Sequence, residues 1–159
     1  MPLRKAVTDH GRRAPRAPVH VGPTPVTVEA ARTLLVHSDC AAPGASARLL
    51  ERALAEAGLR STEMHHTGTG LQLWADLQLL APRLVVALGR PAAEALLGRS
   101  VRLTLERGRV MGFGGGCRLL LTESPGSVLG LSDALARGRE YRRLVNDLMY
   151  VVPYGRRVA

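Results

Sequence analysis

Cysteine, lysine and aromatic residues are all scarce in this chain of 159 residues. Its two cysteines, Cys40 and Cys117, are too few for a disulfide scaffold and stand in no C-x-x-C spacing. A disulfide framework and a cysteine-rich metal site are therefore not expected, and both thiols read as reduced in a cytoplasm. Aromatics make up 3% of the residues, low for a globular chain. No apolar stretch approaches the length of a membrane span, and the first residues lack the apolar core of a signal peptide. The expectation is a soluble, cytoplasmic protein with no membrane partner. No internal repeat is present.

Arginine is what the chain has in excess. It supplies 21 of the 22 basic residues, Lys5 being the only lysine, and the formal charge is +9. A basic surface favours nucleic acid or another polyanion, although arginine beside abundant alanine also follows from a GC-rich genome. The apolar share of 46% suits one domain with a core of its own. Residues 1–27 hold five of the ten prolines, and Arg4, Lys5, Arg12, Arg13 and Arg16 stand there against Asp9. This stretch reads as a flexible basic arm, followed by one domain over 28–152 and a basic tail over 153–159.

The most informative stretch is Pro82–Arg99. Leu84–Leu88 is an unbroken apolar run with two adjacent valines, as in a parallel strand covered on both faces. Gly89 ends it, Pro91 suits a first helical turn, and Gly98 closes the helix. A strand feeding a helix is half of a βαβ unit, so the spacing predicts an open α/β sheet with ligands beyond the strands' carboxyl ends. Residues 33–36 read as the first strand, and Ser46–Gly58 as a helix capped by Ser46. Glu63–Thr67 reads as a weak edge strand and Leu71–Leu80 as a second helix. Val101–Leu105 and Arg109–Met111 read as a hairpin around Arg107 and Gly108. Arg118–Thr122 reads as the last strand, and Ser132 as the cap of a final helix whose inner side includes Leu135, Tyr141, Leu144, Val145 and Leu148.

Three familiar sites fail on spacing. Gly112–Gly116 is no phosphate loop, because no Lys-Ser/Thr follows and the run leads into a strand, and it reads instead as a flexible hairpin connection. His65 and His66 point to opposite strand faces, so with His37, Asp39 and Cys40 they form no ligand set, and no metal is expected. Ser124 and Ser127 lack the G-x-S-x-G setting of a hydrolase nucleophile.

Taken together, P-R-L-V-V-A-L-G-R-P-A-A-E-A-L-L-G-R at 82–99, R-G-R-V at 107–110, L-L-L-T-E-S-P-G-S-V-L at 119–129 and Y-R-R-L-V-N-D-L at 141–148 resemble the C-terminal half of a uracil-DNA glycosylase. The nearest branch is the bacterial iron–sulfur one, family 4 and its X-type relatives. L-L-V at 34–36 and A-R-L-L-E-R-A-L-A-E-A-G-L at 47–59 resemble its first strand and helix. The resemblance implies a three-layer α/β/α sandwich with a mainly parallel four-stranded sheet.

The functional residues implied by that family do not carry across. Its water-handling acid or amide has only Asp39 as a counterpart, in a loop without Phe or Tyr to stack on a flipped base. The base-reading Asn falls on Gly68, and the late His of a His-Pro-Ser motif falls on Ser124. The cluster cysteines are missing, so no iron–sulfur cofactor is expected. Asp39 and Ser124 are thus vestigial catalytic positions. Arg107, Arg109, Arg118, Pro125, Gly126, Ser127 and Leu129 are the expected DNA contacts, the first three on phosphates and the rest at the minor groove. The leading expectation is a catalytically degenerate member of the superfamily that binds DNA weakly or acts through a protein partner. One alternative is a glycosylase for a different damaged base, using Asp39 and the Ser124 loop. The other is an accessory subunit whose old groove has become an interface.

Overall fold

Leu84–Leu88 is the middle strand of the sheet, and all five of its residues are buried. The computed structural model describes residues 33–38, 44–60 and 64–155. In chain order these form β1 (Thr33–His37), α1 (Ala45–Glu56), β2 (Met64–Thr67), α2 (Gln72–Leu80), β3 (Leu84–Leu88) and α3 (Arg90–Leu97). There follow α4 (Leu103–Glu106), β4 (Val110–Gly114), β5 (Cys117–Thr122), α5 (Pro125–Leu129), α6 (Ala134–Met149) and α7 (Val152–Gly155). The sheet runs β2-β1-β3-β5-β4. β2, β1, β3 and β5 pair in parallel, and β4 pairs antiparallel with β5 at the edge.

Successive strand residues face opposite ways, which is why β1 and β3 need apolar side chains throughout. Leu35, Leu84, Val86, Leu88 and Leu120 meet Leu50 and Leu54 of α1, Val128 of α5, and Leu144 and Leu148 of α6. Leu34, Val36, Val85, Ala87, Leu119 and Leu121 meet Leu73 of α2, Ala92, Ala93 and Leu96 of α3, and Leu103 of α4. The result is three layers, helix on sheet on helix, around the open α/β sheet that the spacing predicted. Burying one such leucine contributes about 1.5–3 kcal/mol.

Some expectations are corrected. The sheet has five strands, not four, because Val110–Gly114 turns through Gly115 and Gly116 onto β5. The glycines take positive φ (107°, 59° and 80° at 114–116), which is what so tight a reversal requires. Val101–Leu105 does not pair with Arg109–Met111. Leu103–Glu106 is a helical turn, fixed by the Glu106 carboxylate, which accepts from the Arg102 N–H at 3.0 Å and from Arg99 at 2.6 Å. Gly44 replaces Ser46 at the start of α1, with no side-chain cap. Asp133, not Ser132, caps α6 by accepting from the N–H groups of Leu135 and Ala136. Leu135 lies on the outer side of that helix, 73% exposed. Residues 1–32, and with them the arm, lie outside the described residues.

Candidate nucleic-acid interface at the carboxyl ends of the strands

α1 leaves β1 toward β2, whereas α3 leaves β3 on the opposite face, toward the β5 side. The connections therefore diverge between β1 and β3, and a crevice opens beyond their carboxyl ends, where open α/β sheets bind ligands. His37 ends β1 at this rim, and Gly89 and Glu123–Ser124 follow β3 and β5 there.

Two of the rim loops are pressed together. Gly89 has φ 90° and ψ 165°, a conformation that side-chain-bearing residues hardly adopt. A Cβ built on it would lie 2.9 Å from Ser124 Cβ. Its N–H donates to the Thr122 carbonyl at 2.8 Å, locking the turn after β3 to the end of β5.

Ser124 is only 7% exposed, and its hydroxyl is occupied. Its Oγ accepts from the Ser127 N–H at 3.1 Å and lies 3.0 Å from Ser127 Oγ, capping α5. Its own N–H donates to the Glu123 carboxylate at 3.0 Å. Residues 125–129 are accordingly a single helical turn started by Ser124 and Pro125, a pairing that favours an N-terminus. Pro125 and Val128 are buried, Gly126 and Leu129 half-buried, and Ser127 exposed.

Asp39 lies outside the described residues. Gly68 follows β2 at the same end of the sheet. A Cβ there would sit 3.9 Å from the His37 carbonyl, an ordinary contact, so the position has room for a side chain and carries none. Next to it is a cavity of about 410 Å³ lined by His37, Ala47, Leu50, Glu51, His66, Thr67 and Gly68. The His37 and His66 rings meet edge-on at 5.6 Å and 61°. Burial holds the pKa of His66 below its ordinary 6.5, with Glu51 opposing and His65 adding to the shift. The Asp76 carboxyl behind them is held low by hydrogen bonds from Gln72 and Thr67 and by His65 3.8 Å away. Among the described residues no three or more His, Cys, Asp or Glu side chains gather as metal ligands.

The three arginines expected on phosphates are not together. Arg118 stands at the amino end of β5, where its N–H bonds the Arg83 carbonyl at 2.9 Å, a strand's length from Ser124. Arg109 is exposed beside the carboxyl end of β5, since Gly108 N–H reaches the Leu121 carbonyl. Arg107 points inward with 10% of its side chain exposed. Its Nε donates to Asp147 at 2.9 Å and its Nη1 to Glu140 at 2.9 Å, while Thr122 Oγ1 donates to Asp147 at 2.7 Å.

Sequence reasoning missed this Arg107–Asp147–Glu140 network and the His37–His66 contact. The partners are 40 and 33 residues apart for Arg107, so nothing local marked them. Arg90, exposed on the first turn of α3 at the rim, was also passed over. Among the described residues no helix is long and apolar enough to cross a membrane. No protein-family model matches the chain, and no curated protein matches it.

Proposed function

We propose that this chain is a uracil-DNA-glycosylase-like protein that still binds DNA at the carboxyl ends of its strands but no longer excises a base. The observation that carries the reading is Ser124. At the position where the resemblance would put a histidine stands a hydroxyl already consumed as a helix cap and nearly closed off from solvent. Its O–H donates to Ser127 Oγ at 3.0 Å and so offers no donor to a departing base, and losing such a preorganised donor raises a barrier by about 3–4 kcal/mol. Gly68 supplies no side chain to read a base edge. The same two facts count against an active glycosylase built on Asp39 and the Ser124 loop.

DNA binding is supported by what surrounds the rim. Arg109 and Arg90 are exposed there and enter no ion pair among the described residues. Leu129 stands half-exposed on the short α5, suited to press on a minor groove. Arg107, bound to two carboxylates, is assigned to the framework, and Arg118 to the opposite edge. The cavity of about 410 Å³ lies in the size range of small-ligand sites and would admit one extruded nucleotide. In this reading no iron–sulfur cofactor takes part.

Fluorescence anisotropy of a labelled oligonucleotide titrated with the full chain tests the binding. The expected affinity falls steeply with salt, and Arg109→Gln lowers the slope of log K against log salt by about 1. Leu129→Ala weakens binding while leaving that slope alone. Absence of binding at low salt, or binding indifferent to both substitutions, would overturn the assignment.

A further inference from the structure

α2 is apolar on its solvent side as well as on its core side. Leu73 and Leu80 are buried, yet Leu71 is 98% exposed, Leu79 72% and Trp74 48%. Ala75 and Gln78, between them, are also exposed. The helix's one charged residue, Asp76, is buried and bonded to Gln72. An amphipathic surface helix normally turns polar residues outward. The three exposed side chains leave roughly 400 Å² of apolar surface in water, the size of the largest patch on a typical monomer.

We propose that a second copy of this chain covers this stripe, α2 packing antiparallel on α2 about a two-fold axis at Ala75. The proposal does not depend on DNA binding. Leu71, Ala75 and Leu79 recur every four residues and form one ridge, the kind that interdigitates with its own copy at about −50°. The ridge is symmetric about its small middle residue. Reversing one copy puts Leu71 against the partner copy's Leu79 and Ala75 against Ala75, so the backbones can approach closely. Self-complementarity is what an isologous interface requires.

Charge restricts where two copies can meet. Two copies of a chain with a formal charge of +9 repel each other, and they meet with least cost where neither presents an arginine. The exposed residues of 71–81 are Leu71, Gln72, Trp74, Ala75, Gln78, Leu79 and Ala81, none of them charged. Both stripes together bury at most roughly 800 Å², about half of a standard interface, which places the dimer among weak associations.

Trp74 is the chain's one tryptophan and reports the contact directly. Sedimentation of the full chain without DNA, from about 1 to 200 µM to span weak association, is expected to pass from monomer to dimer. Trp74 emission is expected to shift to the blue over the same range. Leu79→Arg and Leu71→Arg alter exposed positions, so the fold is retained, as far-ultraviolet circular dichroism can verify. Each is expected to stay monomeric throughout with unshifted emission. A wild-type chain monomeric at the top of the range would overturn the proposal. So would dimers that tolerate both substitutions.

Discussion

Replacing Arg107 by methionine removes the charge that holds three elements together. The arginine comes from the turn between α4 and β4, Thr122 from the end of β5, and Asp147 and Glu140 from α6. Side-chain exposure is 10% for Arg107, 13% for Asp147 and 25% for Glu140, so water screens the cluster poorly. Arg107 Nη2 also lies 2.9 Å from Asp147 but without hydrogen-bond angles, so that contact is coulombic rather than directional. Without Arg107, Asp147 keeps the Thr122 hydroxyl as its side-chain partner among the described residues, whereas Glu140 keeps Arg143 at 2.8 Å. Breaking a buried pair in this way costs about 3–5 kcal/mol. Because Glu140 stays partnered, the lower end applies, about 3 kcal/mol, or a fall in Tm of roughly 10 °C for a domain of this size. Urea and thermal unfolding of Arg107→Met, Asp147→Leu and the double variant measure it. The double variant buries no lone charge, so it should recover most of the loss. A single variant costing under about 1 kcal/mol, or losses that simply add, would refute the reasoning.

Gly89→Ala should destabilise by about 3 kcal/mol in urea unfolding, since it combines a disfavoured backbone conformation with a 2.9 Å approach to Ser124 Cβ. An unchanged midpoint would mean that the two rim loops are not in contact. His66 introduces a pH dependence. Its pKa is lower in the fold than the ordinary 6.5, so as pH falls below about 6.5 the unfolded chain takes up the proton first and stability declines. Urea midpoints compared at pH 7.5 and 5.5 should drop less in His66→Gln than in the wild type, and an equal drop would contradict the assigned cause.

The layers were legible because the sheet's chemistry is local. Leu84–Leu88 must be covered on both faces whatever lies elsewhere in the chain, and Gly89 and Pro91 mark the passage into α3. α1 and α6 announced themselves by periodicity, and their burial of Leu50, Leu54, Leu144 and Leu148 follows it. The failures have tertiary causes. Val101–Leu105 alternates like a strand, but Glu106 reaches back to Arg99 and to the Arg102 N–H and winds it into a turn. The reversal onto β5 was legible, since the glycines that read as a hairpin connection are the ones across which β4 and β5 pair. At the rim, Ser124-Pro125 carried a helix-start signal, and the cap it forms decides the chemistry of the position. Arg107 reads as any surface arginine until α6 brings two carboxylates to it.

The most direct test of the central claim uses the full chain on oligonucleotides that carry uracil and a range of other damaged bases. Strand breaks after alkali report any abasic site formed. The account predicts oligonucleotides that are bound, as anisotropy reads it, and recovered unbroken. Alkali-labile breaks that accumulate with the wild-type chain, and vanish with Asp39→Ala, would contradict it.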